Sequence, residues 1–267
     1  MRKVVMVKRT YVITGAASGI GAATSALLKE RGEKVIGVDI HDADINADLS
    51  TTAGRKTAVK GVIQISGGRI DSIIACAGLV HSIAKTVSVN FFGVTQILTE
   101  LLPILKESSA PRVAITSSMS SLFPISPELV DAMLANDEEG ALAIAQDLVN
   151  QGPEKAGLIY GSTKRAISRW VRRECIKPDW AGAGIPLNAI GPGMVETPMI
   201  GRMIATAESR ATIDAMVPMP LNYYLKPRQV AYLLAWLTSQ ENTHTTGQTI
   251  YIDGGADATI RGDNIWS

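Results

Sequence analysis

Tyr11-Val-Ile-Thr-Gly-Ala-Ala-Ser-Gly-Ile-Gly21 is the stretch that decides the fold of this chain. Four residues of strand character run into a turn with glycines at 15, 19 and 21, and a helical pattern follows over residues 20–31 with Gly32 as its stop. Glycine lets a backbone turn sharply and approach a ligand closely, and the free N–H groups of a helix start face an anion. Strand, glycine turn and helix in this order make a cradle for a pyrophosphate, with Gly15, Ser18, Gly19, Ile20 and Gly21 as the residues around it. The spacing alone also fits an ordinary glycine turn. The next strand, Lys34–Asp39, favours the cradle because it ends on a carboxylate. Asp39 can accept hydrogen bonds from both hydroxyls of an adenosine ribose and would repel a 2′-phosphate. Neither the turn nor Ile40 and His41 offers a Lys or Arg, so NAD is expected over NADP.

Outward from this unit, short β-branched runs keep alternating with helical patterns. Residues 45–49, 70–76, 112–117, 185–190 and 248–252 read as further strands. Residues 82–106 read as a helix that Pro103 kinks or ends early. The alternation predicts an α/β fold, a Rossmann-type doubly wound parallel sheet of about seven strands, in one domain over residues 1–267.

Bulk properties narrow the function. The 267 residues carry a net charge of +1, with 46% hydrophobic and 19% charged residues, so there is no electrostatic footprint for nucleic acid or an anionic membrane. The two cysteines, Cys76 and Cys175, lie in apolar segments, and no Cys/His cluster has metal-ligand spacing, so neither a disulfide nor a metal site is expected. The apolar run in Met1-Arg-Lys-Val-Val-Met-Val-Lys8 is short for a signal peptide, and no stretch reaches the roughly 20 apolar residues of a membrane span. A cytoplasmic chain is the expectation.

Tyr160-Gly-Ser-Thr-Lys164 places a phenol and an ammonium one helical turn apart on one face. A nearby positive charge would draw the phenol, whose ordinary pKa is about 10, toward working pH and suit it to general acid–base chemistry. Alone, the spacing also fits a surface helix. It gains weight from Ser118 at the end of a strand and Asn90 in the helical segment upstream.

Taken together, these residues resemble the short-chain dehydrogenase/reductase family. Asp48-Leu49, Cys76-Ala77-Gly78 (where the family usually has Asn at the first position), Thr116-Ser-Ser118, the Asn188–Gly193 turn with Thr197, and Asp253-Gly-Gly255 extend the likeness over the whole chain. The resemblance implies a hydride transfer between a nicotinamide and a carbonyl or secondary alcohol. It makes Asn90, Ser118, Tyr160 and Lys164 the catalytic set: Tyr160 handles the proton, Ser118 bonds the substrate oxygen, Lys164 holds the ribose and lowers the Tyr160 pKa, and Asn90 holds a water beside Lys164. It puts Asp48 and Leu49 around the adenine, Ala77 and Gly78 along the cofactor, and Pro192, Gly193, Val195 and Thr197 at the nicotinamide amide.

Two departures from the family pattern mark a branch. Asp39 and Asp48 are too close in sequence for a crossover helix between their strands. The stretch from Ser118 to Tyr160 is longer than usual, and residues 122–157 within it carry seven acidic residues against Lys155, a net charge of −6. Ala141, Ile144, Ala145 and Leu148 recur at helical spacing there, predicting an amphipathic helix. Both features resemble family members acting on hydroxysteroids and other carbonyl compounds, and dehydrogenases of aromatic alcohols carry a similar insertion. A catalytically silent NAD-binding regulator is the reading of another class, which the intact proton-handling set opposes. Residues 198–224 are rich in Met, Ile and Tyr, and with Met194 five of the nine methionines fall between 194 and 219. A lid for a bulky apolar alcohol or ketone fits this composition, as does plain packing. Because the insertion precedes the Tyr160 helix, which pairs across a tetramer in many relatives, a homodimer is expected.

Overall fold

The computed structural model of the protein describes residues 8–201 and 205–266. Met203 and Ile204 of the expected lid, and the basic start of the chain up to residue 7, lie outside the described residues.

Seven parallel strands form one sheet in the order β3-β2-β1-β4-β5-β6-β7. They are β1 (Thr10–Thr14), β2 (Lys34–Asp39), β3 (Ile45–Asn46), β4 (Ser72–Ala75), β5 (Arg112–Thr116), β6 (Leu187–Pro192) and β7 (Thr249–Ile252). The order reverses between β1 and β4, where Tyr11 stands opposite Ser72 and Thr14 opposite Ala75. That reversal opens the crevice at the carboxyl ends of the strands, where open α/β sheets bind ligands.

Alternation along the strands supplies both layers of core. Val12, Ile73, Val113 and Leu187 face one apolar cluster, while Tyr11, Ile13, Ile74, Ala114 and Ile190 face another. Period-two side chains on fully buried strands need helices on both faces. On the second face α1 (Gly19–Glu30) supplies Leu27 and Leu28. The first face takes α2 (Thr52–Ser66) and α3 (Lys85–Leu105), where Val59, Val62, Leu98 and Leu101 are buried.

Several expectations needed correction. The sequence reading did not contain α2, although Thr51 caps it by accepting from the Gly54 N–H at 3.0 Å and Gly67 ends it at φ 72°. Pro103 does not stop α3 early; it lies on the exposed side two residues before the end at Leu105, and the Thr99 carbonyl that loses its partner belongs to an exposed residue that water can reach. At 21 residues with a hydropathy of 1.3, α3 is also long and apolar enough to cross a membrane, against the reading that no stretch was. Its most apolar window is 72% buried in the protein, as befits a core helix. Within α3, Ser88–Phe92 widen into a π-turn.

β2 runs into β3 with no helix between them, as the short spacing required. The insertion holds three helices rather than one: α4 (Pro127–Leu134), α5 (Glu138–Asn150) and α6 (Pro153–Ala156). Ala141, Ala145 and Leu148 are buried and Ile144 is half-buried, so the anticipated stripe faces the core. α4 packs on α7 (Leu158–Glu174), with Asp131 paired to Arg169 at 3.3 Å. Beyond β6 come α8 (Pro198–Gly201) and α9 (Ala207–Met216), neither with a buried residue. α10 (Pro227–Leu237) then packs on α1, and α11 (Ala256–Arg261) closes the described chain with a final short turn.

Candidate active site

The glycine turn is shaped by contacts that exclude side chains. Gly15 has φ 70°, and a Cβ there would stand 2.7 Å from the Ala77 nitrogen. Gly19 has φ 53° and lies against Thr197, whose Cγ2 would be 3.2 Å from a Cβ. Ser18 makes no side-chain cap on α1, which leaves the first N–H groups of the helix free for an anion. Asp39 braces the turn: its Oδ2 accepts from the Ala17 N–H at 2.9 Å and its Oδ1 from the Ile40 N–H at 2.7 Å.

A cavity of about 440 Å³ runs from this turn to the proton-handling residues. Gly15, Ser18, Gly19, Ile20, Gly21, Asp39, Ile40, Asp48, Leu49, Ala77, Gly78, Ser118, Tyr160, Lys164, Pro192, Gly193, Val195 and Thr197 all line it. Asn90 does not. It is buried behind the wall, where its Oδ1 accepts from the Leu79 N–H at 2.7 Å and its Nδ2 donates to the Leu79 carbonyl at 2.9 Å and to Thr163 Oγ1 at 3.1 Å. Asn90 thus clamps the loop after β4, from a π-turn of the kind often found at functional sites.

His81, Ile83 and Lys85 also line this cavity without having been singled out by the sequence, and Met199 and Ile200 reach it from the segment read as a lid. They come from loops and helix starts with no periodic signal. Lys85 matters electrostatically, because its Nζ donates to Asp48 Oδ2 at 3.1 Å. The Ser50 hydroxyl, donating at 2.7 Å to Asp48 Oδ1, is the main reason the Asp48 carboxyl lies below its ordinary range; burial opposes it, and the Ser50 N–H and Lys85 add to it.

The proton-handling cluster corrects one expectation. Lys164 Nζ donates to the Thr116 carbonyl at 2.9 Å and sits 5.7 Å from the centre of the Tyr160 ring. Burial drives the Lys164 pKa down to about 8, with the Cys76 thiolate form acting against the shift. The Tyr160 phenol is raised by burial, which outweighs the lowering by its Ser118 hydrogen bond. The anticipated depression is therefore not found in the protein alone, where burial of the phenol dominates. Cys76, in the position the family usually gives to Asn, is pushed up to about 11 by burial and accepts a hydrogen bond from Thr116 Oγ1 at 3.3 Å.

Sheet order, glycine turn and the Ser118, Tyr160, Lys164 set define a nicotinamide-dependent oxidoreductase fold, and the comparisons agree. Residues 15–257 match the family model described as enoyl-(acyl carrier protein) reductase. The chain is 36% identical to the 3-alpha-hydroxysteroid dehydrogenase/carbonyl reductase of Comamonas testosteroni, over 94% of this chain and 97% of that protein. It is 29% identical to a 3-oxoacyl-(acyl-carrier-protein) reductase of Thermotoga maritima, over 92% of this chain and 97% of that one. The crystal structure of the 3-alpha-hydroxysteroid dehydrogenase from Pseudomonas sp. B-0831, complexed with NADH, superposes with a TM-score of 0.87 at 38% identity, covering 96% of this chain and all of that one. The chain belongs to the short-chain dehydrogenase/reductase family, an oxidoreductase family that binds a nicotinamide cofactor. The residues present fit a dinucleotide: side chains are excluded at Gly15 and Gly19 where a pyrophosphate would pass, and a carboxylate stands at the end of β2.

Proposed function

We propose that this protein is an NAD-dependent dehydrogenase/reductase interconverting a bulky, apolar secondary alcohol and its ketone. The observation that carries the reading is one cavity joining Asp39 at one end to Ser118, Tyr160 and Lys164 at the other. Among the described residues that line it, the basic side chains are His81, Lys85 and Lys164; Lys85 is engaged by Asp48, and Lys164 stands at the far end. A 2′-phosphate beside Asp39 would meet a carboxylate with no free cation among the described lining residues to offset it, which supports NAD.

When bound, the nicotinamide gives or takes the hydride. The chain's own residues orient the substrate and move one proton. Ser118 Oγ accepts from the Ser120 N–H at 3.1 Å, and its O–H, turned to Tyr160 in the protein alone, would donate to the substrate oxygen once substrate is bound. Burial favours the protonated Tyr160 phenol, ready to donate to the oxygen of a ketone; in the oxidative direction the phenolate, formed by losing that proton to solvent, would accept the proton of the alcohol. Lys164 spends one N–H on Thr116, which leaves two for ribose hydroxyls. Pro192, Gly193, Val195 and Thr197 line the cavity and would hold the nicotinamide amide, while Asn90 bonds the loop that carries Gly78.

Ile83, Met199 and Ile200 give the cavity an apolar lining, and Ile200, Val217 and Met219 of the lid pack with Met119 and Met194. Flexible thioethers adapt to large irregular surfaces. The likeness to hydroxysteroid dehydrogenases supports a polycyclic substrate, and an aromatic alcohol is the second choice. The experiment is to incubate the protein with NAD or NADP and a panel of hydroxysteroids, aromatic alcohols and small hydroxy acids, and to follow reduced cofactor. Turnover with NAD and the bulky alcohols is expected. A preference for NADP, or for the hydroxy acids, would contradict the reading, and silence across the panel with tight NAD binding would favour a regulator. Because α4 covers α7, the assembly we infer is a dimer; a tetramer with paired α7 helices would refute that.

A further inference from the structure

Arg55 is the largest of the fully buried side chains, at 1% exposure, and it lies within no catalytic set. All of its N–H donors are engaged. Nε donates to the Leu49 carbonyl at 2.8 Å, and Nη2 to the carbonyls of Ser50 at 3.4 Å and Ser88 at 3.2 Å. Nη1 donates to Gln96 Oε1 at 2.9 Å, and the two Nη atoms grip both oxygens of Glu138 at 2.7 and 2.6 Å. The contacts reach three places at once: the β3–α2 loop, α3 and the insertion.

Each of these carbonyls sits at a functional edge. Leu49 lines the adenosine side of the cavity and is seated against α3, where a Cβ on Gly93 would be 3.0 Å from its carbonyl oxygen. The loop also rests on the start of α2, since a Cβ on Gly54 would overlap the Asp48 carbonyl. The Ser88 carbonyl closes the π-turn that holds Asn90, by accepting the Gly93 N–H. Converging carbonyl oxygens repel one another and need a cation among them. A buried cation needs a carboxylate in turn, because an uncompensated charge in the interior is costly. The insertion supplies it: Asp137 caps α5 by accepting from the Gly140 N–H at 2.9 Å, and that places Glu138 at the first position of the helix, over Arg55.

We propose that Glu138, acting through Arg55, holds the adenosine-side wall of the cavity in its binding shape, which makes the pair positioning residues and gives the acidic insertion a role in cofactor affinity. Neither side chain lines the cavity, so the effect is transmitted through the Leu49 and Ser50 backbone. The inference rests on the proposed use of this cavity for NAD.

The test is fluorescence titration of the whole protein with NADH and with reduced nicotinamide mononucleotide, which lacks the adenosine half. Glu138→Gln keeps the size of the side chain and removes its charge. It should weaken NADH binding about tenfold, leave mononucleotide binding unchanged, and keep kcat at saturating NAD within about threefold of wild type. Glu138→Asp keeps the charge on a shorter stem and should fall between; it also carries the test if Glu138→Gln does not fold. Wild-type NADH affinity in a folded variant would overturn the proposal. So would equal weakening for both ligands, or a fall in kcat without a change in affinity, since either would mark a general structural role. A wild-type protein that binds no NADH would instead sink the functional reading and this inference with it, a result distinct from a variant that matches a binding wild type.

Discussion

The two walls of the cavity are built differently. The cofactor side is made of strand ends and helix starts whose neighbours are buried: Thr14, Leu49, Ser118 and Lys164 each expose less than a tenth of their surface. Among the described residues, the lid side meets the cavity only through Pro198, Met199 and Ile200 of α8; neither α8 nor α9 beyond it has a fully buried residue, and Met199, Met216, Leu221 and Tyr223 are exposed. The first wall is fixed by the fold and serves chemistry common to the family. The second is less buried, and the proposed selectivity for a bulky substrate would be set there.

The largest effect should come from the rigid wall. Tyr160→Phe removes the proton donor and little else, so kcat should fall about 10³-fold while NADH binding stays within a factor of two. Next, Asp39→Ala with Ile40→Arg should shift the NAD-to-NADP ratio of kcat/KM by about 100-fold toward NADP, through loss of the carboxylate and gain of a phosphate partner. An unchanged ratio would show that the end of β2 does not read the ribose.

Lys164→Met tests the electrostatics of the same wall from the side of stability. The folded pKa of Lys164, about 8, lies below the usual 10.5, so the folded state disfavours the charged form. Below pH 8 both states are protonated and the cost of burying the ammonium is present in full. From pH 8 to 10.5 the unfolded chain binds more protons, and wild-type stability from this group rises with pH. The variant should lose turnover yet be more stable than wild type by about 1–2 kcal/mol at pH 7, after the lost Thr116 hydrogen bond is set against the relieved burial. Denaturant midpoints should show that gain fading between pH 8 and 10.5. The smallest effect belongs to the lid: Met199→Ala should raise KM for a bulky substrate about threefold with no measurable change in melting temperature.

The same contrast explains what could be read from sequence. Gly15, Gly19 and Asp39 announce themselves because the turn tolerates few alternatives, and the Tyr160–Lys164 spacing is set by one helical turn. The seven strands were legible from β-branched runs, with ends off by a residue or three: β3 stops at Asn46, and β6 begins at Leu187 and runs to Pro192. α2 escaped because its buried stripe of Ala58, Val59 and Val62 is short and set among Lys and Gly. Lys85 and the Arg55–Glu138 pair escaped because partners 37 and 83 residues apart leave no local pattern. The Tyr160 pKa was misjudged for a related reason: the spacing shows which charge is near, and only the fold shows how much water has been removed from both groups.

The central claim is a hydride transfer between a carbinol carbon and the nicotinamide. It is tested most directly with a secondary alcohol deuterated at that carbon, NAD and the wild-type protein, with the reduced cofactor analysed by mass spectrometry. The account predicts one deuterium in each reduced cofactor formed. Reduced cofactor without deuterium, or deuterium lost to solvent while the alcohol is consumed, would contradict it.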